Sequence, residues 1–169
     1  MARFETKLVL GQWMLRQFGV ESLEILGKTL SADHLIGFDE ENSSRYLYEL
    51  MSWIPEAGRP VKNNLLREYD DNIVKHWRRI TERRNHAGNT LYPLYFQYLS
   101  ILFTEHYLTR YFDNKAALCA ELNHFLVDYN QEHLKQKGKQ AEAHFIEPFK
   151  ESELNKLAVW IATGGGKTL

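Results

Sequence analysis

The residues with the clearest chemistry lie in one short run, which is Thr163-Gly164-Gly165-Gly166-Lys167-Thr168. Phosphate oxygens must approach backbone N–H groups closely, so a loop that binds phosphate needs positions without side chains, and glycine also permits positive φ. A helix that begins after such a loop presents its N-terminal N–H groups and the positive end of its dipole to the anion. Lys167 would then reach the β- and γ-phosphates of a nucleotide, and the Thr168 hydroxyl would bind Mg²⁺. The run therefore predicts a nucleotide-binding loop.

The segment before this run supports the same prediction. Residues 157–161, Leu-Ala-Val-Trp-Ile, are apolar and end in β-type residues, so they predict the first strand of a parallel sheet. The strict pattern Gly-x-x-x-x-Gly-Lys-[Ser/Thr] has glycine where this chain has Ile161. The alternative is a flexible glycine-rich tail that binds no ligand. The strand pattern, followed in register by the Lys-Thr pair, favours the loop.

Residues 162–168, Ala-Thr-Gly-Gly-Gly-Lys-Thr, resemble motif I of superfamily 2 helicases and translocases, which is commonly written Ala-x-x-Gly-x-Gly-Lys-Thr. More narrowly, residues 154–169 are similar to bacterial DEAD/DEAH-box helicases related to type III restriction enzyme Res subunits. In those proteins a long helical segment precedes motif I. Residues 69–74, Tyr-Asp-Asp-Asn-Ile-Val, and 95–99, Tyr-Phe-Gln-Tyr-Leu, are similar to that segment.

The resemblance implies an ATP-dependent DNA or RNA helicase or translocase, acting within a restriction or phage-defence system. It implies ATP and Mg²⁺ as cofactors. The implied partners are nucleic acid, with DNA favoured over RNA, and a protein of the defence system. Residues 163–168 would bind the nucleotide, with Lys167 and Thr168 as the catalytic residues and Thr168 holding Mg²⁺ through the nucleotide. Water would attack the γ-phosphate in line. The carboxylate and the arginine finger would come from other segments, so we expect an N-terminal fragment without ATPase activity of its own.

Two other functions fit the same residues. One is a helical adaptor that contacts a partner protein or DNA and carries a vestigial P-loop. The other is a different P-loop NTPase, such as a kinase or an AAA-type ATPase. Phosphate transfer to a small acceptor would favour the kinase, and tight binding by residues 1–145 alone would favour the adaptor.

Composition places the chain among ordinary globular proteins. Its 169 residues, 44% of them hydrophobic and 25% charged, are enough for one domain with a real core. No run of about eighteen apolar residues occurs, so we expect no membrane span, and the N-terminus lacks the apolar core of a signal peptide. The single cysteine, Cys119, fits a reducing cytoplasm and is predicted to be a buried core residue. The formal net charge of −1 means that any contact with nucleic acid must come from a local patch.

Apolar residues recur at helical spacing along most of the chain, and the predicted fold is mainly α. A helical, bundle-like N-terminal domain precedes the first strand and phosphate loop of an incomplete α/β P-loop ATPase domain. Four parts are predicted along the chain. An N-terminal helical segment spans 1–60, and a helical core with long aromatic-rich helices spans 61–137. A linker at 138–148 then leads to the start of the ATPase domain at 149–169. The predicted helices span 4–18, 39–53, 63–85, 91–112 and 113–137, with 21–37 less regular.

Several local features predict how these helices begin, end and pack. Gly19 is expected to end the first helix, Asn63 or Asn64 to cap the third, and Asp113 or Asn114 to cap the last. The buried stripe predicted for the helix at 63–85 consists of Leu66, Tyr69, Ile73, Trp77 and Ile80.

The same helix carries five basic residues, which are Lys75, Arg78, Arg79, Arg83 and Arg84. They could hold a phosphate backbone, with an aromatic side chain stacked on a base. The alternative is a solvated face on which the arginines pair with Glu68, Asp71 and Glu82, while Trp77 belongs to the core. Seven histidines occur without metal-binding spacing, so no metal site is predicted apart from Mg²⁺ at the nucleotide. Asp70 and Asp71 are expected to be exposed or capping charges.

Overall fold

The computed structural model describes residues 8–85, 89–137 and 145–159, and these residues are mainly helical, which confirms the mainly-α part of the prediction. Its helices are α1 (Val9–Gln17), α2 (Leu23–Leu30), α3 (Arg45–Trp53), α4 (Asn63–Thr81) and α5 (Tyr95–Lys137). Short 3₁₀ turns occur at Asp33–Leu35, Glu56–Gly58 and Glu151–Glu153. The predicted strand, 157–161, extends past the described residues, and its described part, 157–159, is coil.

Packing groups the described chain into two compact units. One, the 14–106 unit, contains α2, α3, α4 and the first part of α5. The other, the 107–158 unit, also includes residues 8–13 and contains the rest of α5. This grouping follows contacts in space, and the division of the sequence at 60, 137 and 148 stays a prediction.

The end of α1 confirms the predicted stop at Gly19. Gly19 has a φ of 67°, which is a left-handed conformation. The Gly19 N–H donates to the carbonyl of Arg16 at 3.1 Å, and the Val20 N–H donates to the carbonyl of Leu15 at 2.9 Å. This pair of bonds is the Schellman arrangement, which satisfies carbonyls that the helix leaves without partners.

Two glycine-to-alanine substitutions at the start of the chain are expected to act in opposite directions. In Gly19→Ala, the new Cβ would lie 2.8 Å from the carbonyl oxygen of Gly58 and the residue would keep a positive φ. We expect the free energy of unfolding to fall by about 1–2 kcal/mol or more. In Gly11→Ala the new Cβ meets only Leu8 at 3.5 Å inside a helix, and a gain of about 1 kcal/mol is expected. Urea denaturation of both variants measures this, and equal effects would contradict it.

The prediction that 21–37 is less regular was wrong for Leu23–Leu30, which form α2. The Ser22 side chain caps the helix by accepting the N–H of Ile25 at 3.3 Å. Leu26 and Leu30 are buried. A glycine inside a helix costs only about 1 kcal/mol, so burial of these two leucines outweighs the presence of Gly27.

Helix α3 begins six residues later than the sequence predicted. The Asp39 carboxylate accepts the N–H of Ser43 at 2.8 Å, and Asn42 adopts a positive φ of 64°. These local bonds form a turn where the sequence pattern suggested a helix, since Asp and Asn side chains compete for backbone groups. Ser44 then caps α3 by accepting the N–H of Tyr46.

Helix α4 has the predicted buried stripe, formed by Leu66, Tyr69, Ile73 and Trp77. Ile80 is an exception, since it is 51% exposed in the last turn before α4 ends at Thr81. The predicted asparagine cap was also wrong. The N–H of Asn63 donates to the Glu56 carboxylate at 2.8 Å, so a side chain from the preceding 3₁₀ turn caps this helix.

Helix α5 begins at Tyr95, after Pro93, and is interrupted by non-helical backbone at Asn114. The Asn114 side chain accepts the N–H of Ala117 at 2.9 Å, which confirms the predicted cap. In the 107–158 unit, Asn123 bonds both backbone groups of Phe149, at 2.7 Å to its N–H and 3.0 Å to its carbonyl. Cys119 is buried, as predicted, with its Sγ 3.3 Å from the carbonyl of Phe149.

Candidate functional site

The predicted nucleotide-binding residues, 163–168, lie outside the described residues, so their roles stay predictions. The other predicted site is described. It is the basic cluster, which consists of Lys75, Arg78, Arg79, Arg83 and Arg84.

The basic cluster lies at the C-terminal end of α4 and in the turn that follows. All five side chains are exposed. The salt bridges among the described residues join Lys28 to Glu24 and Arg110 to Glu121, so none of the five is ion-paired with a described carboxylate. The alternative, in which the arginines pair with Glu68, Asp71 and Glu82, is therefore not seen among the described residues. Trp77 is 3% exposed, which confirms that it belongs to the core rather than to a stacking surface.

One member of the basic cluster contacts an aromatic pair that the sequence did not indicate. The Arg78 guanidinium lies 5.3 Å from the centre of the Phe38 ring. The Phe38 ring meets the Tyr92 ring edge to face, with their centres 5.3 Å apart and an interplanar angle of 84°. The three residues come from the loop before α3, from α4 and from the segment before α5.

These side chains border a cleft of about 300 Å³ in the 14–106 unit. The residues that line this cleft are Phe38, Arg78, Asn85, Thr90, Leu91 and Tyr92.

A chain of hydrogen bonds holds the cleft wall against the end of α4. The Trp77 Nε1–H donates to the carbonyl of Leu91 at 3.0 Å, and the Leu91 N–H donates to Asn85 Oδ1 at 2.8 Å. Asn85 Nδ2 donates in turn to Thr81 Oγ1 at 3.1 Å. The Thr81 hydroxyl completes the chain by donating to the carbonyl of Trp77 at 2.9 Å. Because the buried Trp77 anchors this chain, Asn85 and Leu91 are held in place where they line the cleft.

A second polar group is buried deep in the 14–106 unit, and here the sequence prediction was wrong. Asp70 was expected to be exposed, yet its side chain is fully buried. Its Oδ2 accepts the N–H of Ser44 at 2.8 Å, and its Oδ1 accepts the hydroxyl of Tyr98 at 2.6 Å. Two residues remote in sequence supply these donors, so helical spacing carried no indication of the site.

Burial raises the pKa of Asp70 to about 6, because a low-dielectric interior disfavours the charged carboxylate. The hydrogen bonds from Tyr98 and Ser44 oppose this shift, and the neighbouring charges of Asp71 and Asp39 add to it. The same surroundings raise the pKa of Tyr98 well above its ordinary value. Asp70 links the start of α3 to α4 and α5, so we assign it a structural role.

No group of three or more His, Cys, Asp or Glu side chains among the described residues could hold a metal ion. His106 is buried and lies with its Nδ1 3.2 Å from the hydroxyl of Tyr69, which is a core contact. No helix in the described part of the chain is long and apolar enough to cross a membrane.

Comparison with protein-family models, with curated proteins and with solved structures finds no match for this chain.

Proposed function

We propose that this chain is the N-terminal region of an ATP-dependent helicase or translocase of the restriction or phage-defence type. The observation that carries the proposal is the run at 162–168, with its resemblance to motif I. The mainly helical character of the described residues, 8–85 and 89–137, agrees with a helical region that precedes motif I.

The donor set of the proposed loop suits a nucleoside triphosphate. Three consecutive glycines leave backbone N–H groups open to phosphate oxygens, Lys167 supplies a positive charge, and Thr168 supplies a hydroxyl for Mg²⁺. Bound ATP would supply the phosphoryl group that is transferred to water. Lys167 would stabilise negative charge on the β- and γ-phosphates, and Thr168 would hold the metal ion in place. A metal-binding carboxylate and an arginine finger would come from further segments of the ATPase.

The proposal is tested best on the protein as its own cell makes it. A short tag placed before Met1 in the chromosomal gene would allow the native product to be purified, weighed by mass spectrometry and assayed. We expect a mass well above the 19.9 kDa of these residues and ATP hydrolysis that single-stranded or double-stranded nucleic acid increases severalfold. The physical reason is that polymer binding completes an active site formed between parts of the ATPase.

The other outcomes separate the alternatives. Hydrolysis that nucleic acid leaves unchanged, together with phosphate transfer to a small acceptor, would contradict the helicase and favour a kinase. A product whose mass is 19.9 kDa plus that of the tag, and which does not hydrolyse ATP, would also contradict it.

That last outcome would leave the helical adaptor as the function. One observation favours an adaptor as the second candidate. Phe112, on α5 in the 107–158 unit, is 78% exposed, and Leu108, one turn earlier, is 38% exposed. An exposed aromatic side chain next to an exposed leucine is typical of a surface that contacts another protein.

A further inference from the structure

We propose that the cleft beside α4 binds one base of a single-stranded nucleic acid, while the basic cluster holds the phosphates on either side of it. This inference deepens the proposed function, on which its biological role rests, and it names a place of contact in the 14–106 unit that is formed by residues other than 163–168.

The cleft has the groups that a base requires. Phe38 and Tyr92 offer aromatic surface, and the Arg78 guanidinium adds a flat cation on which a base can stack. The volume of about 300 Å³ lies at the lower end of the range for small-molecule sites, which suits a base with its sugar. The Trp77–Leu91–Asn85 hydrogen bonds keep the wall in place before any ligand arrives, which lowers the cost of ordering on binding.

Recognition in this cleft is expected to tolerate different bases. Both polar atoms of the Asn85 side chain already bond within the protein, to Leu91 and to Thr81. Stacking does not depend on the pattern of donors and acceptors at the edge of a base. We therefore expect little sequence preference.

The charges favour a strand over a free mononucleotide. Residues 75–85 contain five basic residues and a single acidic residue, Glu82. Lys75 and Arg79 lie four residues apart on α4, about 6 Å along the helix axis, whereas a stacked strand carries a charge about every 3.4 Å. The cluster thus spans more than one phosphate. Asp71, one turn before Lys75, confines the positive surface to the C-terminal end of the helix.

Helix dipoles alone also favour basic residues at a helix C-terminus. They do not account for the aromatic pair or for the cleft next to the cluster. The combination of aromatic stacking surface, exposed cations and a hydrogen-bonded cleft wall is what indicates a nucleic-acid strand.

The test measures binding of a fluorescein-labelled 20-nucleotide oligo-dT by anisotropy, without ATP, across a series of salt concentrations. The two parts of the site predict different results. Phe38→Leu, which keeps an apolar side chain and loses the ring, should weaken binding about tenfold without changing the salt dependence. Arg79→Ala should weaken binding and reduce the slope of log K against log salt by about 0.7, the value for one phosphate of a single strand.

Two controls make the result specific. Phe38→Tyr keeps the ring and should bind like the wild type. Lys115→Ala removes a cation that lies 5.3 Å from the centre of the Tyr111 ring in the 107–158 unit, the same contact that Arg78 makes with Phe38. This variant should leave both affinity and salt slope unchanged. Circular dichroism and thermal unfolding would establish that each variant is folded.

Competition separates a strand from a free nucleotide. Unlabelled oligo-dT should displace the probe, whereas dTMP or ATP at the same nucleotide concentration should not. Equal displacement by dTMP would overturn the strand as the ligand. A folded Phe38→Leu variant that binds like the wild type, or a wild type that does not bind, would overturn the site.

The outcome is independent of the ATPase. Strand binding by the native tagged protein, with no ATP turnover by that same protein, would support this site and contradict the helicase. Turnover stimulated by nucleic acid, with Phe38→Leu unaffected in binding, would support the helicase and contradict this site.

Discussion

Replacing Asp70 with asparagine is expected to remove a large part of the pH dependence of stability between pH 4 and pH 7. The carboxyl group of Asp70 has a pKa of about 6 in the folded protein and 3.8 as an ordinary aspartate. The folded state therefore holds its proton over a pH range in which the unfolded state has lost it. The contribution of Asp70 to the free energy of unfolding is fully present below pH 4. It is lost as the pH rises through 6, because folding then buries a charged carboxylate.

The size of the effect follows from the difference between the two pKa values. Each unit corresponds to about 1.4 kcal/mol, so the free energy of unfolding of the wild type should fall by about 3 kcal/mol relative to Asp70→Asn between pH 3.5 and pH 7. Asparagine has no charge to bury at any pH in this range. Its amide can still accept the N–H of Ser44 and donate to the oxygen of Tyr98, so the variant is expected to fold.

Urea denaturation at a series of pH values measures the difference between the two proteins directly. Asp71→Asn is the matched control, because it removes a charge from the adjacent, exposed position and should change the pH dependence only slightly. Tyr98→Phe removes the 2.6 Å hydrogen bond that stabilises the charged carboxylate, so it should move the loss of stability to higher pH. A difference between wild type and Asp70→Asn that stays constant with pH would refute the raised pKa.

Replacing Lys167 with alanine is expected to lower ATP turnover of the native, tagged protein by roughly 100-fold or more, as removal of one group that stabilises transition-state charge does in other enzymes. In the proposed loop, this is the side chain that neutralises the β- and γ-phosphates, and no neighbouring residue from 157 to 169 offers a second cation. Steady-state turnover at saturating ATP measures the effect.

Two further variants separate chemistry from folding in this experiment. Lys150→Ala removes an equal charge at an exposed position upstream and should keep full turnover. Thr168→Ser keeps the hydroxyl for Mg²⁺ and should retain most activity, whereas Thr168→Ala should lose it in a way that added Mg²⁺ partly restores. Full turnover by Lys167→Ala would rule out the proposed role of the glycine-rich run.

Local features of the fold were predicted well where one short segment contains all the atoms involved. The end of α1 needs only Gly19 with a positive φ, and the cap at Asn114 needs only an N–H three residues ahead. The α4 stripe likewise follows from the 3.6-residue period. Errors arose where a side chain competes for backbone groups. The Asp39 carboxylate does so within its own segment and delays the start of α3, and the Glu56 carboxylate caps α4 in place of an asparagine.

The sequence by itself determined the mainly helical class and some helix ends, such as the stop at Gly19 and the cap at Asn114. It also led to the proposal of a phosphate loop, because backbone N–H groups in consecutive residues would do the chemistry of such a loop. Only the tertiary structure decided which polar groups are buried and which side chains share a cleft. Asp70 finds its partners 26 and 28 residues away in Ser44 and Tyr98. Phe38 meets Arg78 and Tyr92 only once the chain has folded. Contacts of this kind depend on how helices pack, and helical periodicity does not encode them.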